Sequence, residues 1–253
     1  MNRRKGRVTK LSVNVNKIAT LRNTRNLDIP NIAGLASIAL QAGAHGLTVH
    51  PRPDERHIRP DDVTVLSAVV KQFPGAEYNI EGNPFHGLIE HCQRVHPTQA
   101  TLVPDAREAF TSNHGFNLVE LGPVERRALG HAIDTLHASG ARVSLFLDPI
   151  PEMMPLARDL GADRVELYTE PYALAHRSGD VATSLQTYAR AATAARDAGL
   201  AVNAGHDLNL DNLGQFLRGV SLVAEVSIGH ALIADALELG LAETVRRYLV
   251  LCS

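Results

Sequence analysis

The chain has 253 residues, with 25 Lys and Arg against 27 Asp and Glu, a formal net charge of -2, and 12 His beside 2 Cys, 3 Met, no Trp, 6 Phe and 5 Tyr. That length is past the range of miniature folds stapled by disulfides or metals, and the balanced charge removes the electrostatic case for a nucleic-acid partner or an acidic membrane surface. Two cysteines make no disulfide framework, no run of about 18 apolar residues exists and no apolar signal core stands at the N-terminus, so the expectation is a soluble, cytoplasmic protein.

The first ten residues include Arg3, Arg4, Lys5, Arg7 and Lys10 and read as a basic, flexible leader over 1–10. From Leu11 onward, short β-branched runs alternate with helix-patterned stretches. A strand at 11–16 (LSVNVN) precedes a helix within 32–44, and a strand at 46–51 (GLTVHP) precedes a helix within 61–73. Strands follow at 77–82 (EYNIEG) and 99–104 (QATLVP). The irregular stretch of roughly 104–120, with Thr111, Ser112, Asn113, His114 and Gly115, is long enough for a lid or binding loop. A helix at 124–141 leads into a strand at 141–148 (ARVSLFLD), then come a strand at 163–169 (DRVELYT), a helix at 184–200, strands at 201–206 (AVNAGH) and 224–230 (AEVSIGH), and a last helix at 231–251. The helical stretches repeat apolar residues every three or four positions, and Gly43, Gly140, Gly161 and Gly199 stand where a helix must stop before the next strand.

Eight strand-helix units in a chain of this length fit an α/β fold of the (β/α)8 TIM barrel type, one domain over 11–253, with parallel strands because the crossovers are helical. An open doubly wound sheet fits less well, since no G-x-G-x-x-G follows the first strand and polar residues end strands all along the chain rather than at one switch point. In a barrel, chemistry gathers at the C-terminal strand ends. Those ends carry Asn14, Asn16 and Lys17, with Arg22 and Arg25 beyond; His50, Arg52, Arg56 and His57; Asn79 and Glu81; Asp105 and Thr111; Glu166, Tyr168, Thr169 and Glu170; Asn203, Gly205 and His206; and Ser227, Gly229 and His230. Arginine and lysine neutralise phosphate, Gly-flanked turns before a helix let backbone N–H groups approach phosphate oxygens, and His with Glu suits proton transfer. Phosphorylated small molecules are therefore the expected substrates. His91-x4-His96 with Cys92 is no metal site, because a spacing of five leaves the rings off a common helical face. No nucleophile elbow, P-loop or C-x-x-C occurs.

The segments VNVNKIATLRNTR (13–25), GLTVHPRPDERHI (46–58), NIEG (79–82), TLVPD (101–105), VSLFLD (143–148), VNAGH (202–206) and IGHA (228–231) resemble the pyridoxine 5'-phosphate synthase family, in order and over nearly the whole chain. The resemblance implies a barrel with extra helices, a homo-octamer, and condensation of 3-amino-2-oxopropyl phosphate with 1-deoxy-D-xylulose 5-phosphate into pyridoxine 5'-phosphate, phosphate and water, without metal or organic cofactor. It implies that His50 and Glu81 accept protons and that His206 donates one. It places Asn14 and Arg25 at the amino-ketone phosphate, Arg52, His57 and Thr111 at the deoxyxylulose phosphate, and Gly229 and His230 in a further phosphate loop. Two positions depart from the common pattern. Asn16 and Lys17 stand in place of Asp-His, which exchanges a carboxylate and an imidazole for a cation able to hold substrate, and Asp207 replaces Gly where its carboxylate would repel phosphate unless turned away. Two other readings compete: a diverged phosphosugar aldolase or isomerase, with Lys17 as the imine-forming lysine, and a catalytically silent phosphate binder, which would need none of His50, Glu81 and His206.

Overall fold

Polar and apolar residues alternate along the strands, and parallel pairing converts that alternation into an inside and an outside. The structure, a computed structural model, describes residues 8–25, 27–106 and 112–253. Its elements run β1 (Lys10–Asn14), α1 (Asn16–Asn23), α2 (Ile32–Gln41), β2 (Gly46–Val49), α3 (Pro60–Val70), β3 (Glu77–Gly82), a wide turn over Pro84–Leu88, α4 (Ile89–Val95) and β4 (Gln99–Leu102). The second half runs α5 (Pro123–Ala138), β5 (Arg142–Leu147), α6 (Met153–Asp159), β6 (Arg164–Leu167), α7 (Glu170–Ser178), α8 (Val181–Asp197), β7 (Ala201–Gly205), α9 (Leu213–Gly219), β8 (Val223–Ile228), α10 (His230–Leu239) and α11 (Leu241–Leu251). The strands pair in chain order and β8 closes on β1, giving a parallel eight-stranded barrel ringed by helices. It is the (β/α)8 barrel the sequence predicts.

Outward residues such as Leu11, Val13, Leu47, Ile80, Val143, Val165, Val226 and Ile228 are buried beneath the helices in one continuous apolar core. The interior is polar. Ser12 and Thr48 share a 2.7 Å hydrogen bond, Thr101 donates to Asn79 at 3.0 Å, and Gln99 on β4 reaches across the lumen to Glu225 on β8 at 3.4 Å. At the N-terminal end Lys10 and Arg142 both pair with Glu77. A lumen packed this way carries polar groups up the barrel axis to the opposite rim.

Three local features differ from the sequence expectation. Lys10, assigned to the leader, opens β1, and Thr9 is already buried, its hydroxyl donating to the Val223 carbonyl at 3.0 Å. Arg3, Arg4, Lys5 and Arg7 lie outside the described residues. The helix expected at 231–251 is two helices, because Gly240 at φ 80 breaks it while the apolar rhythm runs on across the break. The short helices α1, α4, α6, α7 and α9, each of seven to nine residues, carry too few turns for periodicity to reveal them. The anticipated helix stops hold: Gly43, Gly140, Gly161 and Gly199 all take positive φ.

Candidate active site

Strand β1 passes into α1 through a single residue, and its two asparagines fasten the rim. Asn14 accepts from the Asn16 backbone N–H at 3.0 Å and donates from Nδ2 to Glu81 Oε2 at 3.4 Å. Asn16 Oδ1 accepts from the His50 backbone N–H at 2.9 Å. On the other side a Cβ at Gly229 would come within 3.1 Å of the Asn14 side chain, so β8 approaches this closely only with glycine there. The ends of β1, β2, β3 and β8 are thereby locked together, with His50 and Glu81 set by side chains that the sequence placed on substrate.

The segment after β2 brings His50, Arg52 and His57 to the same rim, all three buried, with the rings of His50 and His57 6.2 Å apart. Arg52 forms a buried ion pair with Asp105, which also accepts from Ser112 Oγ at 2.7 Å. The Asp105 backbone carbonyl accepts from Asn83 Nδ2 at 3.1 Å. His57 Nδ1 accepts from the Ile58 backbone N–H at 2.9 Å, so the ring proton of its neutral form sits on Nε2, ready to be donated to an anionic oxygen. The segment is clamped from α1. Asn23 Nδ2 donates to the His57 carbonyl at 2.8 Å, and Arg22, itself buried, grips Asp62 of α3 through two bonds of 2.5 and 2.8 Å.

Strands β6 and β7 supply the opposite wall. Tyr172, Tyr188 and Phe216, from α7, α8 and α9, stack into one buried aromatic cluster with centroids 4.9 to 6.2 Å apart. Two of its hydroxyls point back to the rim: Tyr188 donates to the Tyr168 carbonyl at 2.5 Å and Tyr172 to the Asn212 carbonyl at 2.8 Å. Asn212 Nδ2 in turn donates to the Asp207 carbonyl at 3.1 Å, and the Tyr168 ring stands edge-on to His206 at 5.7 Å. Asp207 is turned onto His206, whose Nδ1 lies 2.7 Å from Asp207 Oδ2. The repulsion of substrate phosphate expected at this position is thus met by an internal partner.

The electrostatics separate the titratable groups. Burial, reinforced by Arg52, His57, Arg56 and His206, pushes the His50 imidazole well below the usual histidine range, so it is neutral at pH 7. His57 falls to about 4, through burial and the cations Arg52, Lys17 and Arg56. Burial lifts Glu81 to about 7, with Asp105 and Glu225 adding to the rise against His206 and Arg52. His206 moves the other way from His50: burial depresses it, but the Asp207 bond and charge, with Glu81 and Glu170, more than offset this and raise it. Glu166 is held protonated by burial and by the neighbouring carboxyls Glu81 and Glu225, and its Oε2 has no hydrogen-bond partner among the described residues. The rim therefore offers a neutral imidazole, a carboxyl titrating near neutrality, an imidazole biased toward its cation and a neutral carboxylic acid. That set can take and give protons at several centres at one pH.

Not every expected residue joins this group. Lys17 lies exposed in the first turn of α1 and reaches the site through its field on His57; it is no interior lysine, which removes the footing of an imine-forming aldolase. Arg25 is exposed just past α1, and His230 is exposed as the first residue of α10. Thr111 lies outside the described residues. Gly229 caps α10 without a side-chain hydrogen bond, so this helix presents its leading N–H groups at the rim. His91 pairs with Arg94 and His96 with the Ser139 carbonyl, and among the described residues no three His, Cys, Asp or Glu are grouped to hold a metal. The sequence left the placement of Asp105 and Glu166 without a task; their position at strand ends was the available signal.

Comparisons with known proteins identify the family and the fold. The family model described as pyridoxal phosphate biosynthesis protein PdxJ matches residues 11–253. The pyridoxine 5'-phosphate synthase of Albidiferax ferrireducens is 54% identical over 248 residues, covering 95% of this chain and 96% of its own. That of Xanthomonas axonopodis pv. citri is 51% identical over 247 residues, covering 95% of each chain. Among solved structures, thiamine phosphate pyrophosphorylase from Pyrococcus furiosus superposes with a TM-score of 0.62 at 12% identity, over 98% of this chain and 96% of that one, a likeness of fold alone.

Proposed function

The chain belongs to the family of the pyridoxal phosphate biosynthesis protein PdxJ, and from that premise we propose that it is a pyridoxine 5'-phosphate synthase of vitamin B6 biosynthesis. It condenses 3-amino-2-oxopropyl phosphate with 1-deoxy-D-xylulose 5-phosphate. The amine adds to the ketone and water leaves to give an imine; phosphate departs, water is added and lost again, and carbon-carbon bond formation closes the ring with loss of a further water, so that the two substrates give pyridoxine 5'-phosphate, one phosphate and two waters. Every step moves a proton between carbon, nitrogen and oxygen, so the chemistry asks for several acid-base groups of different proton affinity. The observation that carries the reading is the separation on one rim of neutral His50, near-neutral Glu81 and cation-biased His206.

In this reading His50 and Glu81 accept protons and His206 donates. Arg52, oriented by Asp105, and His57, with its proton on Nε2, hold the deoxyxylulose phosphate together with Thr111. Asn14 and Arg25 hold the amino-ketone phosphate, and the N–H groups that open α10 after Gly229 form, with His230, a further phosphate loop. The two phosphates anchor both substrates, which turns a bimolecular encounter into an oriented one. Lys17 adds positive potential beside His57, Asn14 and Asn16 hold the acid-base groups in register, and Asp207 serves His206.

The assembly we propose is a homo-octamer of single-domain subunits, as the family resemblance implies, and the outward exposure of Leu237 at 78% and Val250 at 73% on the adjacent helices α10 and α11 offers apolar surface for contacts between subunits. The compartment we propose is the cytoplasm, in keeping with two free, buried cysteines. No helix among the described residues is long and apolar enough to cross a membrane. The activity is tested by supplying both phosphorylated substrates to purified protein and following pyridoxine 5'-phosphate and inorganic phosphate. Formation of the two in equal amounts is expected, and a folded protein that forms neither overturns the reading.

A further inference from the structure

We propose that Asp207 is a positioning residue for His206, holding the imidazole by Nδ1 so that Nε2 is the nitrogen that exchanges protons with substrate. This rests on the reading of His206 as the proton donor.

The geometry is specific. Neighbouring residues in extended chain send their side chains to opposite sides. His206 instead takes φ 69, a left-handed conformation uncommon for a non-glycine residue. That twist lets adjacent side chains converge, with Nδ1 donating to Asp207 Oδ2 at 2.7 Å. The turn is held on both sides: the His206 N–H donates to the Ser227 carbonyl at 3.3 Å, the Asp207 N–H to Thr169 Oγ1 at 3.4 Å, and Asn212 grips the Asp207 carbonyl. The Tyr168 ring packs edge-on against the imidazole from the β6 side, and its hydroxyl is committed to Glu170.

Among the described residues, charged and titratable groups facing His206 come from several elements: Asp207 beside it, Glu81 on β3, Tyr168 and Glu170 beyond β6, and His50 beyond β2. Of these, Asp207 both bonds to the ring and brings a negative charge against it, and so raises the proton affinity of His206. A carboxylate bonded to one imidazole nitrogen stabilises the imidazolium and directs proton exchange to the other.

The test uses Asp207→Asn, which keeps shape and hydrogen-bonding capacity but removes the charge, and Asp207→Glu, which keeps the charge. Proton affinity at His206 is read from the pH dependence of its modification by diethylpyrocarbonate, followed by peptide mass spectrometry, and kcat/KM is profiled against pH for each variant. In Asp207→Asn the His206 pKa is expected to fall by about one pH unit, carrying the alkaline limb of kcat/KM with it, while KM for both substrates changes little; Asp207→Glu recovers most of the shift. A His206 pKa unchanged or higher in Asp207→Asn overturns the inference. A lower pKa with an unmoved alkaline limb supports the Asp207–His206 coupling and overturns the donor role of His206, so the two readings fail separately.

Discussion

His50 and His206 have the same side chain on the same rim, yet their surroundings drive them apart: burial and then neighbouring cations keep the first neutral, carboxylates bias the second toward its cation. Glu81, raised to about 7 chiefly by burial, must be ionised to accept a proton. Hence kcat/KM falls as pH drops below about 7, where the carboxyl protonates, and this acidic limb disappears in Glu81→Gln. At the pH optimum Glu81→Gln and His50→Asn each lower kcat by about 10²-fold or more, whereas His91→Ala, whose ring is spent on Arg94, leaves it unchanged; steady-state assays of the three variants check this. Much at this scale was legible in the sequence, because a strand of known register announces which residues stand at its C-terminal end. The proton affinities were not. Glu166 is protonated because Glu81 and Glu225 share the lumen with it, and Asp207 looked hostile to phosphate until its carboxylate was seen on His206. Both depend on residues far apart in the chain or on a backbone twist that no local pattern encodes.

Helix α1 acts as a clamp. Its Arg22 is buried, bonded twice to Asp62, and Asp62 in turn accepts from the Arg59 N–H that opens α3. Removing one partner leaves the other charge buried and unpaired, so Arg22→Ala is expected to cost about 3–5 kcal/mol in urea unfolding. It also loosens the His57 segment and so raises KM for deoxyxylulose phosphate more than it lowers kcat. The aromatic cluster under β6 and β7 is the second support, and Phe216→Ala is expected to cost about 3–5 kcal/mol, measured the same way. These supports explain why the elements read unevenly. The strands and the long helices α2, α3, α5 and α8 announce themselves by periodicity. Helix α1 and helix α9, which carry the clamp and the cluster, are each a bare two turns, and their packing partners rather than their own pattern make them helical.

On the scale of the whole molecule the barrel was legible because eight apolar runs were spaced by helical stretches, and its polar lumen was written in the same strands as alternating Ser, Asn, Thr, Gln and Glu. The apolar surface offered for the proposed assembly was not legible from local pattern, since Leu237 and Val250 read equally well as core positions of one long helix. Light scattering on the purified protein is expected to give the mass of eight chains, and Leu237→Asp with Val250→Asp to give smaller species. The central claim is that this rim performs the ring closure. Its most direct measurement is the rate of pyridoxine 5'-phosphate formation from the two phosphorylated substrates by the unaltered protein, with folded Glu81→Gln alongside. Turnover in the first and a loss of about 10²-fold or more in the second is the predicted result; no product from the unaltered protein, or equal turnover in both, would contradict it.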